Sequence, residues 1–374
     1  MIIDYLYQHY QTVLFKIERF TARKNWQIEL TLLIPIIVLF FSFPSYEFMF
    51  DEHMSNWKYL FEQAANPFAQ HNYDPNSHQA KLTFRLFVPL LIRFFHLNII
   101  GVYALLFICG IATVFFYIKS VLKITENKTI TVILTLAFAS TAICKNPFID
   151  ILGYLDGFAL FFLIIPFAFS NPLLIFSGVF FAAWVDERGL VASCLIFGWI
   201  FFIKKSNTRI VETIAVVLAW LAYFMLRFYL AKHFNLVTHT DAVGIGMLLN
   251  QVNNAPLGIW TGLEGFWILI ILSLIIFYKK KDKLIAFLFL AGISLIVLIA
   301  LSVSDITRSM IYLFPCIFIA LYVIKNTETE NNMLYISSFV FILSAISPQF
   351  IVGGYNTVMW LFPFPLQMLR YIAM

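Results

Sequence analysis

Apolar runs of about membrane-spanning length recur along this chain from Ile28 to the C-terminus, separated by short polar breaks. A helix needs roughly 20 mostly apolar residues to cross the hydrocarbon layer of a bilayer. Hydrophobic residues make up 61% of the chain, and charged residues only 12%, against about 25% in soluble domains. Inside lipid such runs form helices, because a helix satisfies its own backbone hydrogen bonds. The sequence therefore predicts an all-α, polytopic transmembrane helical bundle, one domain over residues 1–374 without a soluble domain.

Clusters of lysine and arginine in short loops set the expected orientation of the helices. They occupy residues 119–128, 204–209 and 279–283, and the positive-inside rule places such loops in the cytoplasm together with the basic N-terminal segment. All of them share one side only if Leu82–Leu97 lies along the outer surface, as an interfacial amphipathic segment containing Arg85 and Arg93. We therefore expect about 11 spans, an N-terminus in the cytoplasm, and two long outer loops, 44–81 and 231–262.

The first outer loop carries the first candidate catalytic group. It contains the sequence FMFDEH, so Asp51 and Glu52 follow directly on the end of the first apolar run, with His53 beside them. A carboxylate at that position can act as a base on a substrate delivered at membrane level. We expect one carboxylate to face the substrate and the other, or His53, to support it or bind a metal. A solvated pair of loop charges is the alternative interpretation.

Two further acidic residues, Asp150 and Asp156, lie six residues apart in NPFIDILGYLDGFAL, at the predicted outer boundary. They are candidates for a supporting role or for metal binding. Asp156 precedes Gly157 and a purely apolar stretch, so capping of the following helix would also explain it.

The stretch AAWVDERGLVA is the least ordinary part of the chain, because Asp186, Glu187 and Arg188 interrupt a long apolar region. Ionisable groups in such surroundings are costly unless they are paired or face a wet cavity, and they indicate a functional site. The guanidinium of Arg188 suits phosphate oxygens, whereas internal pairing that only shapes a helical hairpin is the alternative. Asp305 and Arg308 form a similar island, three residues apart, which a local ion pair could also explain.

Several reaction classes lack their sequence signatures. No HExxH zinc pattern, serine nucleophile elbow, Walker loop or dinucleotide-binding glycine motif is present, and nothing favours nucleic-acid binding. The four charged islands all fall on the predicted outer side and suggest one site there. A pocket with carboxylates for acid–base or metal chemistry and arginines for phosphate suits a substrate whose phosphate is attached to a lipid.

In this layout the chain resembles the GT-C superfamily of polytopic glycosyltransferases. The matching features are Asp51 and Glu52 after the first span, the surface segment with RLFVPLL from Arg85, and the outward-facing charged islands. The resemblance implies a polyprenyl-phosphate or polyprenyl-diphosphate sugar donor, a glycan or lipid acceptor, and an active site facing the periplasm or exterior of the inner (cytoplasmic) membrane. It also implies that Asp51 is the base, with Glu52 in reserve, and that Arg188, Arg308 and Arg85 are candidates for binding the donor phosphate.

Other functions stay open from the sequence. A transporter or flippase of a lipid-linked saccharide should have charged residues that line a path to both faces, whereas ionisable residues are sparse in the predicted inner halves of the spans. A polysaccharide polymerase or a membrane acyltransferase would share the outward site. No cofactor is certain, although a divalent cation could assist charge neutralisation.

Overall fold

The computed structural model describes residues 2–51, 55–71, 73–74, 79–237, 244–353 and 357–373. Its α-helices, numbered along the chain, are α1 (Ile2–Thr21), α2 (Trp26–Phe41), α3 (Trp57–Ala65), α4 (Phe87–Phe95), α5 (Ile99–Thr125), α6 (Lys128–Ser140), α7 (Ala142–Ile149), α8 (Asp156–Ala168), α9 (Pro172–Val185), α10 (Glu187–Gly198), α11 (Arg209–Phe234), α12 (Ile245–Gln251), α13 (Ala255–Leu263), α14 (Trp267–Lys279), α15 (Lys283–Leu301), α16 (Ile306–Met310), α17 (Phe314–Lys325), α18 (Glu330–Ile346) and α19 (Phe364–Ala373).

Shorter elements connect these helices. Three-residue or five-residue 3-10 helices lie at Tyr46–Phe50, Gln79–Lys81, Glu264–Phe266 and Ile311–Leu313, and a π-helical turn at Trp199–Ile203 follows α10. Strands β1 (Phe350–Val352) and β2 (Val358–Trp360) pair antiparallel, with Ile351 opposite Met359.

The prediction of an all-α fold is confirmed, and the predicted apolar runs become helices. Five described helical segments are long and apolar enough to cross a membrane, or up to seven if two bent pairs each count as one span. In those pairs, α1 meets α2 at 118° and α6 meets α7 at 59°. The shorter apolar helices α8, α9 and α18 are additional to these. The expected total of about 11 spans remains a prediction.

The segment over α16 and α17 is the centre of the bundle. In Ile306–Lys325, 94% of the apolar window is buried, whereas the corresponding value for α15 is 22%. Helix α15 accordingly leaves large side chains such as Phe287 and Leu298 exposed, at 67% and 54%. Lipid would cover such side chains, since in water they would be a large unfavourable apolar surface. The packing therefore agrees with the apolar composition.

Local capping signals set the start of several helices. The side chain of Asn98 accepts from the backbone N–H of Gly101 at 2.8 Å and begins α5. The side chain of Asn171 accepts from Leu173 N–H at 2.9 Å, and Pro172 at the first helical position fixes the entry of α9.

Helices α4 and α1 differ in how well the sequence shows them. Helix α4 has nine residues, about 14 Å at 1.5 Å per residue, which is too short to cross a layer of ~30 Å. This length agrees with a surface-lying segment. Helix α1 was not predicted, because its buried positions, such as Leu14 and Thr21, are spaced on one helical face and do not form a continuous apolar run.

The connections between α8, α9 and α10 bring distant residues together. The short turn at 169–171 makes α8 and α9 an antiparallel pair, so Asp156 at the start of α8 returns to the same end as Asp186 after α9. Lys204 Nζ lies 3.2 Å from Ser170 Oγ, which places the 204–209 basic loop at the opposite end of this pair. Acidic islands and this basic loop therefore separate along the bundle.

Candidate active site

Asp156 is the centre of a buried ion-pair network. Its side chain is fully buried at 0% exposure and accepts from Arg188 Nη2 at 2.9 Å, Arg308 Nε at 2.8 Å and Tyr312 Oη at 2.8 Å. The residue before it, Leu155, has a left-handed backbone with φ of 67°. Asp156 is therefore not a helix cap, as one sequence interpretation allowed, because its oxygens accept from side chains of other elements.

Arg188 joins two carboxylates across the α9–α10 break. Its Nε and Nη2 donate to the two oxygens of Asp186 at 2.8 Å each, and its Nη1 donates to Ser309 Oγ at 2.7 Å. Asp186 also caps α10 by accepting from the backbone N–H of Arg188 at 2.8 Å. All three nitrogens of the guanidinium thus donate within the protein. This is the internal pairing that the sequence left as the alternative to phosphate binding.

Arg85 attaches the surface segment to the same network. Its Nη1 lies 2.7 Å from Asp186 Oδ2, and its Nε lies 3.3 Å from Glu187 Oε2. Glu187 is shared with Arg227 of α11, at 3.2 Å. Burial alone would raise the pKa of Asp186, but the guanidiniums of Arg188 and Arg85 hold the pKa of that carboxyl well below its usual range.

Arg308 is the member of the network that also lines the cavity of about 400 Å³. Its Nη1 donates to Asp305 Oδ2 at 2.6 Å, and the guanidinium lies over the ring of Tyr154, 3.6 Å from the centroid. Its Nη2 contacts Asp156 Oδ2 at 2.8 Å as an ion pair, but without a hydrogen-bond geometry to any described acceptor. The local pair between Asp305 and Arg308 that the sequence allowed is therefore present, within a larger network.

Asp150 holds the loop that leads to Asp156. It accepts from the backbone N–H groups of Tyr154, at 3.1 Å, and Leu155. Burial raises the pKa of Asp150 to about 6, although the nearby Arg308 opposes this shift. Asp150 thus fixes the loop that presents Asp156, and its role in a functional site stays a prediction.

A cavity of about 400 Å³ adjoins the network. It lies among the 44–48 segment, α7, the loop after α7, the α13–α16 contact and the C-terminal hairpin. Three cations and three carboxylates line it: Lys145, Arg308, Arg370, Asp150, Glu264 and Asp305. Volumes of about 300–1,000 Å³ are usual for small-molecule sites, so this cavity has room for a ligand.

The predicted catalytic loop lies only partly within the described residues. Asp51 follows the 3-10 helix Tyr46–Phe50, and Ser45 and Phe48 from this region line the cavity. Among the described residues, Asp51 itself does not line the cavity. Glu52 and His53 lie outside the described residues. The role of Asp51 or Glu52 as a base remains a prediction.

The structure also has an apolar groove of about 760 Å³. Phenylalanine and leucine side chains of α4, α9 and α11 form it, and Arg93 is at its margin. A small pocket of about 30 Å³ shares Tyr154 with the cavity and takes Val88 from α4, the helix that forms much of the groove. The groove also borders the ion-pair network, since Leu86 and Trp184 in its wall are close in sequence to Arg85 and Asp186.

The carboxylates of this network do not form a metal site. Among the described residues, no group of three or more His, Cys, Asp or Glu side chains is arranged to hold a metal ion. The reason is visible at Asp156 and Asp186, whose oxygens face guanidiniums. The predicted metal candidates Asp150, Glu187 and Asp305 likewise accept from backbone amides or arginines.

Three of the four charged islands predicted to form one site do meet: residues 150–156, 186–188 and 305–308. The structure adds Lys145, Glu264, Tyr312 and Arg227, which the sequence did not single out. Lys145 and Glu264 are each a single charge at the end of an apolar run, where a charge that faces water is ordinary. Their burial, at 3% and 2% exposure, distinguishes them, and it depends on packing.

The fold and the site define an all-helical chain with membrane-length apolar helices and a buried ion-pair network beside a cavity. Comparison of the chain with protein-family models, with curated proteins and with solved structures found no match.

Proposed function

We propose that this chain is an integral membrane glycosyltransferase of cell-envelope polysaccharide biosynthesis. It would transfer a sugar from a polyprenyl-phosphate or polyprenyl-diphosphate donor to a lipid-linked or cell-surface glycan acceptor, on the non-cytoplasmic side of the inner membrane. The observation that supports this most is an apolar groove of about 760 Å³ that borders the ion-pair network, one of whose members, Arg308, lines a charged cavity of about 400 Å³.

The groove suits the lipid part of such a donor. Its wall is almost entirely apolar, with Phe94 and Phe95 exposed at 78% and 59%. An isoprenoid chain is itself apolar, so it can lie against these rings without burying a polar group. The donor phosphate would then lie toward the small pocket and the cavity.

Arg308 is the arginine best placed for the donor phosphate. It lines the cavity, and its Nη1 donates to Asp305, which is 22% exposed. A phosphate oxygen could replace the Asp305 carboxylate on this nitrogen in a charge-assisted bond. Arg188 and Arg85 hold Asp156, Asp186 and Glu187 in place, so they would support the site through the network.

The proposed reaction is a single displacement. A carboxylate, Asp51 or Glu52 by the sequence or Asp150 by its position on the cavity, takes the proton of an acceptor hydroxyl. The acceptor oxygen forms a bond to the anomeric carbon, while the bond from that carbon to the lipid phosphate breaks. The phosphate leaves with the electron pair, and Arg308 stabilises its charge.

The test is sugar transfer by the purified protein in lipid nanodiscs, with a panel of polyprenyl-phosphate and polyprenyl-diphosphate sugars. The variants Arg308→Gln, Asp51→Asn and Glu52→Gln are compared with two matched controls. Arg209→Gln and Asp282→Asn make the same chemical changes at exposed positions outside the site. Loss of transfer with Arg308→Gln and with one of the loop variants, in folded protein, would support the proposal.

The contrary result is also defined. If no donor in the panel is consumed, while proteoliposomes carry a labelled saccharide lipid across the bilayer, a transporter or flippase replaces the glycosyltransferase. Retention of that movement in the loop-carboxylate variants would further separate transport from carboxylate-dependent chemistry.

A further inference from the structure

Three residues that line the charged cavity each have a buried side-chain oxygen that accepts no hydrogen bond from any described residue. These oxygens are Asn146 Oδ1, Glu264 Oε2 and Gln349 Oε1. A buried polar atom that lacks a partner costs about 1–3 kcal/mol, and native proteins have few of them. Their placement around one cavity indicates a ligand that donates hydrogen bonds.

Glu264 is the most constrained of the three. It is 2% exposed and has a left-handed φ of 49°, which is strained for a residue with a side chain. Its neighbours fix this geometry: a Cβ on Gly262 would lie 2.3 Å from Met310 Cβ, and one on Gly265 would lie 2.3 Å from the carbonyl oxygen of Val340. The tight packing on both sides holds the Glu264 backbone in place, and strained backbone of this kind is concentrated at functional sites.

The charges around the cavity distinguish between possible ligands. Lys145, buried in α7, attracts Glu264 electrostatically and donates to the backbone oxygen of Ser140. As many cations as carboxylates line the cavity, so its net charge favours neither an anion nor a cation. A neutral group with several hydroxyls suits this balance, because each hydroxyl can donate to one oxygen and accept from a cation.

We propose that this cavity contains a subsite for a polyhydroxylated sugar ring. Ring hydroxyls donate to Glu264, Asn146 and Gln349, and Lys145 and Arg308 donate to hydroxyl oxygens. Apolar side chains of the hairpin, including Trp360, cover the ring. The subsite rests on the proposed function for its biological substrate, since either the transferred sugar or the acceptor sugar could occupy it, but sugar binding can be tested without any transfer.

The experiment is saturation-transfer NMR on the protein in nanodiscs, with methyl hexopyranosides at about 10 mM and tetrahydropyran as the probe without hydroxyls. Glu264→Gln and Gln349→Met remove acceptors from the cavity. Glu212→Gln is the matched control, because Glu212 is also a fully buried glutamate but pairs with Lys204, outside the cavity. Thermal transitions of all variants are recorded, so that lost binding is separated from lost folding.

We expect at least one glycoside to bind the wild type and Glu212→Gln, and the dissociation constant to rise about tenfold or more in folded Glu264→Gln and Gln349→Met. Tetrahydropyran should give no comparable signal. The subsite is wrong if both cavity variants bind as the wild type does, if no glycoside binds, or if Ca²⁺ displaces the glycoside. Glycoside binding without transfer from any donor would keep the subsite and refute the transferase, whereas transfer with unchanged binding in both cavity variants would do the reverse.

Discussion

Replacing Asp156 by asparagine tests whether the buried network holds the helices together. The substitution Asp156→Asn would keep the shape of the side chain but remove the charge that Arg188 and Arg308 share, and Tyr312 would lose its ionised acceptor. Removing one partner from a buried ion pair costs about 3–5 kcal/mol, because the other charge stays buried without compensation. Since 1.4 kcal/mol is a tenfold change, the unfolding equilibrium constant should increase at least ~100-fold.

Asp305→Asn is the control, since it removes the other carboxylate that contacts Arg308. Asp305 is 22% exposed, and pairs closer to water typically contribute about 0–1 kcal/mol. Free energies of unfolding would be measured by titrating protein in mixed micelles with sodium dodecyl sulfate. A double-mutant cycle with Arg308→Met would then isolate the coupling to Asp156. If Asp156→Asn costs no more than Asp305→Asn, the network does not stabilise the fold as argued.

Three further predictions concern stability. Gly262→Ala should lower the free energy of unfolding by about 1–3 kcal/mol, because its Cβ would lie 2.3 Å from Met310 Cβ. Gly198→Ala, whose Cβ would have nothing within 4 Å, should leave that free energy unchanged or raise it by up to about 1 kcal/mol. Equal values for the two variants in the same titration would contradict this. Burial raises the pKa of Asp150 from 3.8 to about 6, so the folded state holds this proton more tightly than the unfolded state. The free energy of unfolding, titrated at successive pH values, should therefore fall by up to about 3 kcal/mol as pH rises from 3.8 through about 6. If the same fall persists in Asp150→Asn, another group causes it. Asn171→Ala should lower the free energy of unfolding by about 1 kcal/mol, because it removes the cap of α9. Asn332→Ala makes the same change at an exposed position inside α18 and should leave this free energy nearly unchanged.

The sequence was sufficient for the positions of most helices. Helix α9 illustrates this, because Asn171 and Pro172 give a start signal in the sequence and Asp186 ends the apolar run. Helix α1 and the C-terminal hairpin were not predicted. The first has an amphipathic pattern without a continuous run, and the second has strands of only three residues, too short for a recognisable alternation.

The site was predictable as a set of residues but not as a set of contacts. The placement of ionisable groups within apolar surroundings singled out Asp156, Arg188 and Arg308, since such groups need partners. Which partner each group has depends on how the helices pack: Asp156 and Arg308 are 152 positions apart. No local pattern encodes that pairing, and the same reason explains why Lys145 and Glu264 were missed.

The contacts separate the arginines by what they can do. Arg188 and Arg85 bind to Asp186, which is almost fully buried, and moving either would remove one of the two positive charges that compensate this buried carboxylate. Arg308 differs, because one partner, Asp305, is partly exposed and can be solvated when displaced. A phosphate entering the cavity could therefore replace Asp305 while Asp156 keeps the guanidinium in position. The network would then serve both stability and binding, with the exchangeable contact at the cavity.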